Sequence, residues 1–176
     1  MNVLNFKIES IEYICEELKK DSGKNLIIIS SKNKDKIFWK LILRNVLLEE
    51  IKGFHKIWNE LFIIVNNKII KIDINTGKKI IEKSFGNTQI NKIIIRKEDI
   101  YLLLYYYEFD SKKYQSNILC VNNFLKIKWY AELFDKDDIY TNIITKGKNI
   151  IGYTWNGWDC TINSDNGKIK NKRFTK

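Results

Sequence analysis

The chain holds few side chains able to do acid–base or nucleophilic chemistry, and they are scattered. His55 is the only histidine among 176 residues. That excludes multi-histidine metal sites and leaves His55 as the sole base for a Ser–His or Cys–His pair. With Phe54 and Trp58 as neighbours, it reads as a packing or surface residue. Cys15, Cys120 and Cys160 are odd in number and show no CxxC spacing, which fits neither a disulfide framework nor a zinc site. Carboxylates pair along the chain at Glu16-Glu17, Glu49-Glu50, Glu98-Asp99 and Asp137-Asp138. Sequence neighbours point to different places, whereas hydrolysis needs two carboxyls that converge with their pKa values pushed apart. Asp135, Asp137 and Asp138 lack the glycine and distal glutamate of an EF-hand loop. No P-loop, dinucleotide-binding or nucleophile-elbow pattern occurs. The expectation is a protein with no catalytic residues, no metal and no cofactor.

What remains is aromatic. Along Tyr101–Phe109 alternation sends Tyr101, Leu103, Tyr105 and Tyr107 to one side of a strand, with Glu108 and Asp110 at its polar tip. The stretch Tyr153–Asp159 places Trp155 and Trp158 around an Asn156-Gly157 turn. Tryptophan and tyrosine beside acidic residues have the composition of binding hot spots. The candidate partner-binding residues are therefore Tyr105, Tyr107, Glu108, Asp110, Tyr153, Trp155, Trp158 and Asp159. Packing of large rings between sheets is the competing reading.

The elements that must position these residues are mostly strands. Asn59–Lys83 gives the unit: a strand over Leu61–Val65, a turn at Asn66-Asn67, a strand over Ile69–Ile74, a turn at Asn75-Thr76-Gly77, then a strand over Lys79–Lys83. Ile, Val and Phe suit a pleated surface, and Asn and Gly accept the positive φ that hairpin turns require. Longer copies follow, with DSKKYQS (110–116) as a polar hairpin insertion. The third copy carries Asn122–Lys126 with no glycine, so its turn must differ. Ahead of the unit, Val3–Ile8 alternates as a strand. Ile11, Ile14, Cys15 and Leu18 follow at helical spacing after Ser10, which predicts a helix over Ile11–Lys20. Val46–Phe54 suits either a strand or two helical turns.

The turns recur about every 35–47 residues, the span of a four-stranded propeller blade. The predicted fold is all-β and mainly antiparallel, a propeller-like or open stack of about four β-meander blades with a short N-terminal helix. A sheet curled onto that helix is the alternative. The blades fall near 24–50, 51–87, 88–134 and 135–176, within a single domain spanning 1–176.

The net charge is +10, of which +5 lies in residues 51–100 and +3 in 151–176. Only Arg44, Arg96 and Arg173 are arginines, and arginine is the residue that reads phosphate and guanine in a fixed fork. A lysine-rich solvated surface explains the charge better than nucleic acid does. The N-terminus lacks a signal-peptide pattern, and the longest apolar runs are strand-sized. Those features predict a soluble cytoplasmic protein with reduced thiols and no membrane contact.

Two resemblances rest on quoted stretches. KIDINTGKKI (71–80) resembles the Asp-x-x-Thr-Gly-Lys end of quinoprotein-type propeller repeats and implies a fold rather than an activity. The segment from Asp137 to Lys176, with GYTWNGWDCTINSDNGK, is similar to small bacterial immunity proteins of contact-dependent and other polymorphic toxin systems. That resemblance implies a non-enzymatic protein that binds and neutralises a cognate toxin domain by covering its active site or a neighbouring one. Immunity proteins against nucleases are often acidic, so this basic chain implies either an acidic partner or contact through Glu108/Asp110 or Asp135–Asp138. The alternative is a nucleic-acid-binding β module using Lys68, Lys71, Lys78, Lys79, Lys83 and the basic C-terminal tail, whose affinity would fall steeply with salt.

Overall fold

The computed structural model describes residues 3–8, 11–19, 25–33, 36–105, 116–136 and 138–175. Hairpin after hairpin, the described chain folds into four antiparallel sheets of four strands, each wound in sequence order. The first holds β1 (Val3–Ile8), β2 (Ile11–Lys19), β3 (Asn25–Asn33) and β4 (Lys36–Arg44). The second holds β5 (Ile51–Ile57), β6 (Glu60–Val65), β7 (Lys68–Asp73) and β8 (Lys79–Ser84). The third comprises β9 (Ile90–Arg96), β10 (Asp99–Leu104), β11 (Ile118–Val121) and β12 (Ile127–Tyr130), and the fourth β13 (Tyr140–Lys146), β14 (Asn149–Thr154), β15 (Trp158–Ile162) and β16 (Ile169–Phe174). Two compact units result, Met1–Ser84 and Phe85–Lys176, with two sheets in each.

The expected N-terminal helix is absent: Ile11–Lys19 is β2. Its true period is two. Tyr13 and Cys15 are fully buried while Ile14 and Glu16 on the other face are partly exposed. A helix of ten residues has little stability of its own, and here Cys15 pairs with Leu4 on one side and Ile29 on the other. The first sheet accordingly begins at Val3 rather than near residue 24. Between the first two sheets, Leu48–Glu50 forms one short 3-10 turn before β5 begins at Ile51.

Within each unit the two sheets stack face to face. Tyr13, Ile27, Ile29 and Trp39 of the first sheet pack on Phe54, Leu61, Ile63 and Ile72 of the second. Tyr101, Leu103, Cys120 and Trp129 of the third pack on Tyr140, Ile143, Ile150 and Ile162 of the fourth. Tyr101, a candidate for a surface stripe by alternation, is buried in this second core.

Each unit also carries one dock between its sheets, built the same way. The Trp39 indole Nε1–H donates to the Ile74 carbonyl at 2.7 Å, and that of Trp129 to the Ser164 carbonyl at 3.0 Å. Behind each carbonyl lies a turn glycine at positive φ, Gly77 at 69° and Gly167 at 76°. A Cβ on Gly77 would fall 2.6 Å from the Trp39 ring, and one on Gly167 2.6 Å from the Trp129 ring. Only glycine lets the indole lie flat on the turn. The turns are tied by their first residues. Asp73 Oδ1 accepts from Asn75 N, Thr76 N and Thr76 Oγ1, and Asn163 Oδ1 accepts from Asp165 N. The hydrogen bonds from Thr76 also hold the Asp73 carboxyl below the usual carboxylate range. Tyr13 and Tyr101 flank the two indoles at centroid distances of 5.9 and 5.8 Å. Dock residues of the two units stand 90 positions apart (39 to 129, 73 to 163, 77 to 167). The third sheet's turn closes without glycine, through Asn122 Oδ1 accepting from Phe124 N and Lys126 N, with Leu125 at φ 56°.

Cys15, Cys120 and Cys160 are buried free thiols. Burial pushes Cys15 and Cys120 up to about 12 and raises Cys160 as well. Since the thiolate is the reactive species, the native protein is expected to show no thiol titratable by a disulfide reagent at pH 8, and three in guanidinium. One fast thiol in the native state would contradict this packing.

Candidate functional site

Several loops of the second unit gather at one end. Antiparallel winding brings the end of β10, the β12–β13 connection and the β14–β15 turn to that end together. Asn117, fully buried, ties them. Its Nδ2 donates to the carbonyls of Leu104 (3.2 Å) and Tyr140 (2.7 Å), and its Oδ1 accepts from Tyr140 N at 3.1 Å. Tyr105 follows directly on Leu104, half-buried, its N–H donating to Gln89 O at 2.8 Å.

The β14–β15 turn projects from this platform and is pinned along its length. Trp155 N donates to Ile139 O at 2.9 Å, and Trp158 N to Thr154 Oγ1 at 3.1 Å. Asp138 Oδ1 accepts from Ile139 N (2.8 Å) and Asn156 N (3.3 Å). Thr175 N donates to Gly157 O at 2.8 Å. Asp138 is 4% exposed and its Oδ2 is enclosed with no hydrogen-bond partner. Such an orphan is uncommon and is tolerated where a fold holds something else in place. Here it holds the tip, on which the Trp155 side chain is 55% exposed. A large apolar ring on a rigid backbone loses little entropy when a partner covers it.

The eight residues singled out in the sequence separate into groups. Tyr105 and Trp155 share the platform end. Tyr153 and Asp159 lie on the outer face of the fourth sheet, in the row Asn142–Tyr153–Asp159–Arg173. Asp159 is engaged there, with Arg173 Nη2 and Thr175 Oγ1 both at 3.2 Å. Trp158 turns to the opposite face, its ring 4.6 Å from Phe134 and 5.1 Å from Phe174, with the Lys172 ammonium 4.1 Å over Phe134. Tyr107, Glu108 and Asp110 lie outside the described residues. Asn117 carries no sequence signal. Asp138, expected from the sequence to lie in a solvated turn and to belong to an acidic contact patch over Asp135–Asp138, is instead buried beneath the tip, its Oδ1 taken by backbone N–H groups.

A further feature without a sequence signal is Trp58, 63% exposed on the β5–β6 turn of the first unit with φ 51°. The matching turns of the third and fourth sheets carry Lys97 (55°) and Gly147 (59°) there. A bulky residue in this region is strained. Trp58 borders an open cleft of about 660 Å³ with Ile8, Phe54 and His55. Burial lowers the His55 pKa, so its imidazole is neutral at neutral pH. Trp58→Gly relieves about 1–2 kcal/mol of strain against an entropic cost of about 0.5–1 kcal/mol. The variant is expected to melt slightly higher than the parent, and a lower melting temperature would show the turn to be unstrained.

Among the described residues, no group of three or more His, Cys, Asp or Glu could hold a metal ion. None of their helices is long and apolar enough to cross a membrane. Several lysines of the basic stretch are engaged: Lys68 and Lys79 both reach Glu82, and Lys71 is buried against Glu60 at 2.7 Å.

Four-stranded antiparallel sheets wound in sequence order, packed in pairs within each unit and docked there by tryptophan on turn glycine, define a β-propeller-like protein. The chain belongs to the family described as a domain of unknown function, DUF7957, whose profile matches residues 82–174, or 93 of the 176. The platform and tip lie inside that match, apart from Thr175. No curated protein matches the chain in sequence. Among solved structures it is similar to BamB from Moraxella catarrhalis, at 10% identity and a TM-score of 0.62 over 98% of this chain and 48% of that one. The computationally designed Ika8 protein aligns at 10% identity and a TM-score of 0.55 over 96% of this chain and 60% of that one. The Cps50 (Swd1) β-propeller domain of Myceliophteria thermophila aligns at 12% identity and 0.58, over 93% and 52%. The chain thus spans about half the length of BamB, and at these identities the likeness is one of fold.

Proposed function

We propose that this is a non-enzymatic binding protein, an immunity protein that neutralises a cognate bacterial toxin domain in the cytoplasm. The observation that carries the binding part is the pinned β14–β15 tip with Trp155 exposed on it. Tryptophan is among the residues enriched at interface hot spots, and a preorganised backbone lowers the entropy lost on binding. The toxin part rests on the resemblance of the C-terminal segment to immunity proteins. Fold alone does not decide function, and the propeller likeness is compatible with many partners. The lysines named for nucleic-acid binding are largely committed to local carboxylates or buried, which weakens that alternative.

The test is co-expression with the C-terminal domain of the protein encoded immediately upstream. The expected result is a complex that survives gel filtration and rescue of growth when that domain is toxic. Absence of both the complex and the rescue removes the immunity reading.

A further inference from the structure

The outer face of the fourth sheet carries polar and aromatic side chains where the matching positions of the second sheet are mostly aliphatic. In the second sheet two rows cross that face, Gly53–Ile64–Ile69–Lys83 and His55–Phe62–Lys71–Ile81. Phe62, Ile64, Ile69 and Lys71 are each no more than 3% exposed. The matching rows of the fourth sheet are Asn142–Tyr153–Asp159–Arg173 and Ile144–Ile151–Thr161–Asn171. Tyr153, Asp159 and Thr161 replace Ile64, Ile69 and Lys71, and all three are partly exposed. The face is recessed, with a groove of about 310 Å³ running between Lys146 and Arg173.

The groove's charge is one-sided. Lys146 is exposed at one end. The Arg173 side chain is 77% exposed at the other and spends one nitrogen on Asp159. Asp159 is the sole carboxylate lining it, already held by Arg173 and Thr175. Between the ends stand Asn149 and Thr161 as hydrogen-bonding groups and the Tyr153 ring. Such a lining suits carboxylates on an extended chain: cations at the ends, hydrogen-bonding groups between, an aromatic wall for aliphatic stems.

We propose that this groove receives an acidic segment of a protein partner. The proposal rests on the protein-binding reading above and supplies the chemistry of that partner. Nucleic acid fits less well. Proteins that bind duplexes tightly spread about 6–10 phosphate contacts along the backbone, whereas this groove is short and places its cations only at its ends. A polar sheet face that serves only solubility would bind nothing.

The test uses a fluorescein-labelled deca-glutamate peptide, read by anisotropy at low and physiological salt, with a thymidine decamer as the nucleic-acid probe. The peptide is expected to bind more tightly than the decamer. Lys146→Glu with Arg173→Glu should weaken peptide binding about tenfold or more. Lys40→Glu with Arg44→Glu changes the charge equally on exposed positions of β4 and should change affinity less than about twofold. Lys146→Glu alone leaves the Arg173–Asp159 pair intact and should still weaken binding about threefold, which guards against a folding defect in the double variant. Equal losses in the two double variants, tighter binding of the decamer, or no peptide binding would each overturn the proposal. None of these outcomes bears on co-purification with the upstream toxin domain, so the two readings fail separately.

Discussion

Gly167→Ala is expected to lower the unfolding free energy by about 3 kcal/mol or more, a sum of left-handed strain and overpacking. The added Cβ would fall 2.6 Å from the Trp129 ring and 2.7 Å from the Tyr130 carbonyl oxygen, and the residue sits at φ 76°. The backbone oxygen cannot step aside as a flexible side chain can, so the dock must open. For a protein of this size, about 3 kcal/mol lowers the melting temperature by roughly 6–12 °C, and the Trp129 emission should shift red as its indole loses the turn. Gly147→Ala is the control. Gly147 has φ 59° but nothing within 4 Å of an added Cβ, so it should lose only about 1–2 kcal/mol from strain. Equal losses at the two glycines would mean that the dock contributes nothing beyond its backbone conformation.

Trp155→Ala is expected to do the reverse, leaving stability alone and removing function. The residue is 55% exposed and its backbone is held by bonds that alanine keeps, so the melting temperature should stay within about 2 °C of the parent. Loss of a central tryptophan at an interface costs about 2 kcal/mol or more, or roughly 30-fold in Kd. Titration calorimetry with the proposed partner, the C-terminal domain of the protein encoded upstream, reads this directly. A melting temperature that falls with affinity would mean that Trp155 acts through the fold and not at the contact.

The strands were legible because their physics is local: alternation of Ile, Val and Phe between Asn and Gly turns needs no knowledge of the rest of the chain. The segment at Ile11 misled for the same reason. Of the apolar residues at helical spacing there, Ile11 and Cys15 also share one strand face with the buried Tyr13, while Ile14 falls on the other. What decides is pairing with Leu4 and Ile29, which no local pattern records. Trp39, Trp129 and the glycine turns were visible individually. That each indole lies on a glycine 38 positions later (39 to 77, 129 to 167) is a tertiary fact.

The candidate site divides in the same way. Trp155 stood out by type and turn position, and the structure leaves it exposed. Trp158 had the same local signal, yet the strand's alternation carries it to the opposite face, between Phe134 and Phe174. Asn117 and Asp138, which hold the platform and the tip, act through bonds to Tyr140 and Asn156. Their roles appear only once those loops are brought to one end. Charge behaved likewise: +10 over the chain says little until Glu82, Glu60 and Asp99 are placed against Lys68, Lys79, Lys71 and Lys128.

Amide hydrogen exchange of the chain, alone and mixed with the proposed partner domain encoded upstream, bears most directly on the idea of a pinned tip presented to another protein. Protection confined to the Ile139 and Trp155–Gly157 segments and the neighbouring fourth-sheet face is the pattern this account requires. An unchanged exchange map in the mixture, or protection that appears only in the first unit, would contradict it.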